Sequence, residues 1–202
     1  MTTRGFTGRR PAADTARRLP PGQSQTLDFP VLAFGPTPQV DTAAWTFTIR
    51  HGARPLAKWD WSQFGALPHT EWNGDIHCVT KWTKLDTTWQ GVSIDDLFDA
   101  ARIEPPTAYL LAESFDGYDT NVPVADLIDG KAMIATHFGG APLAPEHGGP
   151  ARLLVPHLYF WKSAKWVKGL RFTERNEAGF WELRGYHLYG DPWREQRYTN
   201  DP

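Results

Sequence analysis

The residues best suited to chemistry lie in one run of the chain, residues 147–166. The run combines a glycine pair, one hydroxyl and three cations: Gly148-Gly149, Ser163, Arg152, Lys162 and Lys165. Glycines let backbone N–H groups approach a ligand closely, and the cations can donate to phosphate or carbonyl oxygens. The run therefore predicts a pocket for a large, planar, anionic cofactor. The alternative is a buried strand at residues 153–155, followed by solvated lysines.

A second candidate is Cys78, the one cysteine of the chain. No C-x-x-C is present, and the seven histidines show neither H-x-x-x-H nor H-E-x-x-H spacing, which argues against a zinc centre. The thiol could be a nucleophile activated by His77 or another histidine. It could instead be the one protein thiolate on a metal whose other ligands come from a cofactor. A small, inert, buried side chain is the third reading.

The elements that would position these residues are short strands with few helices. Residues 45–50 alternate apolar and polar side chains, which predicts a half-buried strand. Residues 76–79 read as a strand or strand end that carries Cys78 toward the interior. Residues 27–34 are apolar enough to be buried, and residues 59–67 could form a short helix.

The clearest helix signal begins at Ser93. Ile94, Leu97, Phe98 and Ala101 fall on one helical face, and Ser93 with Asp96 resembles a capping box. No regular alternation of strand and helix follows, so a parallel sheet is not favoured. The expected fold class is α+β, with a mixed or mainly antiparallel sheet.

Composition limits the function classes. The formal net charge of -2 gives no general attraction to nucleic acid, and no apolar run approaches the length of a membrane span. One cysteine and the lack of an apolar stretch after the N-terminal arginines favour a cytoplasmic protein. Residues 1–26 are expected to be disordered or surface-draped, and residues 27–202 to form one domain with an aromatic tail. The 10 tryptophans favour a large aromatic-lined cavity.

Four stretches of the sequence carry a family resemblance: residues 76–82 (IHCVTKW), 113–118 (ESFDGY), 142–156 (PLAPEHGGPARLLVP) and 159–167 (YFWKSAKWV). They resemble successive segments of the sulfite-oxidase-like molybdenum-cofactor proteins, in the same order. The match runs from about residue 29 to residue 173. The end of the chain, residues 185–195, resembles a short, single-domain prokaryotic branch related to methionine-sulfoxide-reducing catalytic subunits.

The resemblance implies a sulfite-oxidase fold and a molybdenum held by one molybdopterin, with the thiolate of Cys78 as the protein ligand. It places cofactor contacts at Ser114, His147, Arg152, Ser163, Ala164 and Lys165, beside the cation Lys162. The stretch around Leu32 and Ala33 lacks the polar residues that the related branch uses, so contacts there would be through backbone. Four residues flank the matched segments and are candidates for the substrate side: His77, Tyr118, His157 and Tyr159.

The leading hypothesis is therefore a molybdopterin-dependent oxidoreductase that transfers an oxygen atom to or from a small sulfite- or sulfoxide-like substrate. An unidentified electron-transfer partner is expected. An arginine-rich sulfite pocket cannot be identified. A cysteine-nucleophile hydrolase and a non-catalytic cofactor-binding module are the alternatives.

Overall fold

The computed structural model describes residue 15 and residues 17–202. Residues 1–14 and 16 lie outside the description, so most of the N-terminal segment expected to be disordered is not tested. Within the described part of that segment, Ser24 and Gln25 pair in parallel with Trp82 and Thr83. That short pairing ties the N-terminal segment to a sheet at a point close to Cys78.

Two β-sheets carry most of the regular structure of the described residues. The first contains β1 (Ser24–Gln25), β4 (Thr70–His77), β5 (Trp82–Ser93), β8 (Met133–Phe138), β9 (Ala141–Pro142) and β10 (Arg152–Leu154). The second contains β2 (Thr46–His51), β3 (Arg54–Asp60), β6 (Tyr109–Ser114), β7 (Asp119–Pro123) and β11 (Val167–Thr173), in the order β3-β2-β11-β6-β7. The pairs β1–β5 and β2–β11 are parallel, and the other pairs are antiparallel. The predicted α+β class with a mixed sheet is confirmed.

Helices are short. They are α1 (Trp61–Gly65), α2 (Ile94–Ala101) and 3₁₀ turns at Val124–Asp126, Pro145–His147, Phe160–Lys162 and Glu182–Arg184. The helix predicted after Ser93 is confirmed, because the Ser93 hydroxyl accepts a hydrogen bond from the Asp96 N–H at 3.0 Å and Ile94, Leu97 and Phe98 are buried.

Burial follows the strand pattern. In β2 the side chains of Phe47 and Ile49 are fully buried between partly exposed neighbours, as a period of two requires. They belong to the larger apolar core, while Ile76, Trp89, Leu154 and Phe160 form a second cluster around Cys78. Cys78 therefore packs against buried apolar side chains.

One expectation about burial is wrong. Residues 27–34 were expected to be buried, but Leu27 is 85% exposed and Phe34 is 72% exposed. This segment has no strand partner and lines a cavity, where Phe29 packs against Trp89 and Phe138 and Phe34 packs edge-on against Phe180 and Trp181. No helix in the described part of the chain has the length and apolar character needed to cross a membrane.

Candidate functional site

Cys78 occupies the turn that joins β4 to β5. Its N–H donates to the carbonyl of Trp82 at 2.8 Å, and its own carbonyl accepts from the N–H of Lys81 at 3.0 Å. Lys81 takes the left-handed conformation that the tight turn requires, with φ of 71°. The turn fixes the direction of the Cys78 side chain, which is 6% exposed and lies on a cavity wall. The expectation that a strand end carries Cys78 inward is confirmed.

A chain of hydrogen bonds fixes this turn from behind. Gln23 donates from Nε2 to the carbonyl of Cys78 at 2.9 Å and accepts from the Thr83 hydroxyl at 3.0 Å. Because that hydroxyl is already a donor, it accepts from Nδ1 of His77 at 2.9 Å, which assigns the His77 proton to Nδ1. Burial lowers the pKa of His77 to about 4, so the ring is neutral. His77 supports the turn, and it is not part of the cavity wall.

The cavity beside Cys78 has a volume of about 810 Å³, a size typical of sites for large organic ligands. It brings together nine of the residues predicted from the sequence: Leu32, Ala33, Cys78, Tyr118, His147, Arg152, Ser163, Ala164 and Lys165. They come from the turn between β4 and β5, the turn before β7, the region between β9 and β11, and residues 27–38, which are called the 27–38 segment below. Five of the other predicted residues do not line it: His77, Ser114, His157, Tyr159 and Lys162.

Arg152 carries an unneutralised charge on the cavity wall. Its side chain is buried, and its Nη1 and Nη2 donate to the carbonyls of His147 and Ser163 at 2.8 Å and 2.7 Å. Its Nε has no partner, and none of the ion pairs among the described residues includes Arg152. Burial lowers the pKa of Arg152 to about 9, and the guanidinium carbon lies 4.0 Å from the ring centre of Phe160. A buried cation without a protein anion is the position where an anionic ligand binds most favourably.

Lys165 adds a second cation to the same wall. Its ammonium donates to the carbonyls of Leu32 at 2.8 Å and Glu146 at 2.6 Å. Burial, and next the charge of Arg152, lower the pKa of Lys165 to about 8. Each of these acceptors is a neutral carbonyl, so neither bond cancels the positive charge of Lys165, and the carboxylates of Asp116 and Glu146 act on its pKa only as nearby charges. The contact with Leu32 also ties the 27–38 segment to the cavity wall.

The backbone around the two cations is tightly packed. Gly148 has φ of 107°, and a Cβ there would lie 3.1 Å from atoms of both Arg152 and Lys165. The Ser163 hydroxyl accepts from the N–H of Val155 at 2.9 Å, which leaves its own proton to donate. His147 stacks on Phe29 with ring centres 3.9 Å apart, and its Nδ1 is buried without a partner. Burial, then the charge of Arg152, lower the pKa of His147.

Lys162, expected as a cofactor-binding cation, does not line the cavity. Its ammonium is fully buried and pairs with Glu182 at 2.6 Å, with further bonds to Asn121 and the carbonyl of Leu188. These acceptors saturate its three N–H donors, because a lysine this deep must be neutralised locally. Ser114 is likewise fully buried away from the cavity wall. Lys162 joins β7 to the C-terminal segment behind the site, whereas the Ser114 hydroxyl is buried without a partner.

Tyr118 reaches the wall but is not free to act as an acid or base. Its hydroxyl donates to the carbonyl of Trp161 at 2.6 Å, and burial raises the pKa of Tyr118 well above its ordinary value. The aromatic residues of the wall were not predicted individually: Trp82, Phe160, Trp161, Phe180, Trp181 and Tyr186. The number of tryptophans was the signal for an aromatic cavity, but it did not indicate which of them would line it.

A family model described as the oxidoreductase molybdopterin binding domain matches residues 34–181. The chain belongs to this family. The uncharacterized oxidoreductase YuiH of Bacillus subtilis (strain 168) is 40% identical over 197 residues, which cover 97% of this chain and 100% of YuiH. The family resemblance seen in the four sequence stretches is thereby confirmed.

More distant relatives extend the comparison. The putative protein-methionine-sulfoxide reductase subunit YedZ1 of Azospira oryzae is 22% identical, over 75% of this chain and 58% of YedZ1. The crystal structure of the sulfane dehydrogenase SoxCD from Paracoccus pantotrophus superposes with a TM-score of 0.61 at 21% identity. That match covers 69% of this chain and 40% of the SoxCD chain, and it confirms the expected fold.

Proposed function

We propose that this molybdopterin-binding oxidoreductase transfers an oxygen atom to or from a small substrate at a molybdenum ligated by Cys78. The observation that carries the proposal is the buried guanidinium of Arg152, which shares one cavity with Cys78 and lacks a protein anion. A hydrophobic or structural role would not require an uncompensated charge at this depth. A cofactor with an anionic tail and a thiophilic metal satisfies both groups.

The residues present fit that cofactor. Arg152 and Lys165 would neutralise its anionic groups, and the unpartnered Nδ1 of His147 and Nε of Arg152 offer further contacts. Ser163 would donate its hydroxyl proton to it, and Ala164, Leu32 and Ala33 would contact it through backbone. When bound, the cofactor supplies two-electron oxygen-atom transfer at a molybdenum that alternates between the +6 and +4 states.

The protein's own residues would position the molybdenum and exclude water from it. The turn anchored by Gln23 orients the Cys78 sulfur toward the cavity, and the aromatic wall excludes water around it. Tyr118 would shape the substrate side as a neutral phenol, since its hydroxyl is already bonded to Trp161. His77 acts through the turn and not on the substrate.

The hydrolase alternative conflicts with the environment of Cys78. Burial raises the pKa of the Cys78 thiol, whereas a nucleophilic cysteine is activated by a lowered pKa. His77, the nearest histidine in sequence, points its Nδ1 proton at Thr83. A non-catalytic cofactor-binding module would have the same cavity and the same cofactor contacts. It would differ from an enzyme only in having no turnover, which a dye-linked assay measures.

The cavity favours a neutral, sulfoxide-like substrate over sulfite. Its wall carries two cations, Arg152 and Lys165, which the cofactor would occupy, and one carboxylate, Asp116. The rest of the wall is largely aromatic, with Phe160, Trp161 and Trp181 among its members. A dianion such as sulfite would have no positive group left, and its desolvation would be uncompensated. The name of YedZ1 refers to sulfoxide reduction, which agrees with this preference.

The electron partner and the cytoplasmic location stay predictions. A turnover of two electrons requires a donor or acceptor outside the cavity, and the single cysteine is compatible with a reducing compartment.

The test is the metal and pterin content of protein made in a host that synthesises the molybdenum cofactor, followed by dye-linked assays. We expect about one molybdenum per chain and oxidation of a reduced viologen dye with methyl aryl sulfoxides, but little dye reduction with sulfite. A loaded protein with no turnover on any sulfoxide, sulfite or nitrate would support the non-catalytic module. Metal-free protein from a host in which a reference molybdenum enzyme is loaded would refute the proposal.

A further inference from the structure

The hydroxyl of Thr80 lies 3.1 Å from the sulfur of Cys78 and donates to it. Thr80 is two residues beyond Cys78 in the same turn, and its side chain folds back over the sulfur at the cavity wall. The turn geometry makes this contact local: the bond between Lys81 N–H and the Cys78 carbonyl closes the four residues into a ring. No other hydrogen bond of the Thr80 hydroxyl occurs among the described residues.

The direction of the bond is fixed once the sulfur is a thiolate. A deprotonated sulfur has no proton to give, so Thr80 must be the donor. Among the described residues, the Thr80 hydroxyl is the one hydrogen-bond donor to the Cys78 sulfur.

Hydrogen bonds to a ligating sulfur withdraw electron density from the bond between sulfur and metal. Fewer electrons on the metal make its reduced states easier to reach, so such bonds raise the reduction potential. The donor placed to do this at Cys78 is the Thr80 hydroxyl, and it depends on the side chain at that position.

Resting on the function proposed above, we infer that Thr80 is a positioning residue whose hydroxyl bond to the Cys78 sulfur sets the potential of the bound molybdenum. It orients the thiolate for ligation and favours the reduced metal. Thr80 itself need not touch substrate.

The test compares Thr80→Val with Thr80→Ser in protein purified with its cofactor. Valine keeps the shape of threonine without the hydroxyl, and serine keeps the hydroxyl. The matched control is Thr88→Val, because Thr88 lies on the same hairpin and its hydroxyl donates to Asn73 at 2.7 Å, not to the sulfur. The readouts are molybdenum content and a redox titration followed by the Mo(V) electron paramagnetic resonance signal.

We expect Thr80→Val to shift the equilibrium between Mo(VI) and Mo(V) toward Mo(VI) by about tenfold, equivalent to about 59 mV for one electron. Thr80→Ser and Thr88→Val should titrate as the wild type does. Loss of molybdenum from Thr80→Val with retention in Thr80→Ser would also support the inference, since the hydroxyl would then be needed to hold the ligand.

Two results would overturn it. One is a loaded Thr80→Val protein with the wild-type potential. The other is a Thr80→Ser protein that behaves like Thr80→Val, which would show that shape and not the hydroxyl matters. Failure of the proposed function gives a different outcome, because the wild-type protein itself would then contain no molybdenum.

Discussion

Replacing Arg152 by methionine separates a cofactor-binding cation from a structural one. In the free protein, burial holds the pKa of Arg152 at about 9, about 3.5 units below an ordinary value of about 12.5. At about 1.4 kcal/mol per pKa unit, the buried charge destabilises the free protein by about 5 kcal/mol at neutral pH. Arg152→Met removes that penalty.

The substitution also removes two donors. The carbonyls of His147 and Ser163 lose the bonds from Arg152, at about 1–3 kcal/mol each for a buried acceptor left unpaired. These losses total about 2–6 kcal/mol and offset the gain, so the stability of the free protein should change by no more than about 3 kcal/mol. For a chain of this length that corresponds to about 6–12 °C in melting temperature.

The loaded protein should respond differently. Breaking a buried charge pair with the cofactor costs about 3–5 kcal/mol, which weakens retention by about 10²–10³-fold or more. The assay is thermal melting of cofactor-free protein together with molybdenum and pterin content of protein from a competent host. Arg171→Met is the control, since Arg171 pairs with Glu113 and Glu177 away from the cavity. Wild-type cofactor content in Arg152→Met, or collapse of the cofactor-free protein, would refute the reasoning.

Three further predictions concern the lysines. Lys165→Met should reduce cofactor content severalfold, whereas Lys168→Met, at an exposed residue of β11, should leave it unchanged when molybdenum is measured in both. Because the pKa of Lys165 is lowered to about 8, its charge is present below that pH and lost above it. Cofactor binding to the free protein should therefore weaken as pH rises through 8, and Lys165→Arg should lose that dependence in the same binding titration. Lys162→Met should lower stability by about 3–5 kcal/mol by leaving Glu182 unpaired; an unchanged melting temperature with lost molybdenum would instead return Lys162 to the cofactor site.

Capping residues and the periodicity of apolar side chains correctly predicted the elements in which these patterns are strong. The cap at Ser93, the alternation in β2 and the strand end before Cys78 depend on contacts within a few residues, so the sequence alone was sufficient. The segment at residues 27–34 was misjudged because its apolar side chains suggested burial, while its lack of a strand partner is a tertiary fact. The pairing of Ser24 and Gln25 with β5 was also missed, because it too depends on a contact between residues far apart in the sequence.

The candidate site was predicted in outline and misjudged in detail for a similar reason. Arg152, Lys162 and Lys165 look alike in sequence, but only two of them reach the cavity. What separates them is Glu182, twenty residues after Lys162, which neutralises that lysine from the C-terminal segment. Thr80 escaped notice because its role depends on a turn that folds its hydroxyl onto a sulfur, and no spacing rule indicates such a contact.

The most direct test of the account is X-ray absorption at the molybdenum edge, compared between the wild type and Cys78→Ser. The wild-type spectrum should require three sulfur neighbours, two from the dithiolene and one from Cys78, and any metal retained by Cys78→Ser should show two. An unchanged sulfur count in Cys78→Ser, at wild-type metal content, would contradict the assignment of Cys78 as the metal ligand.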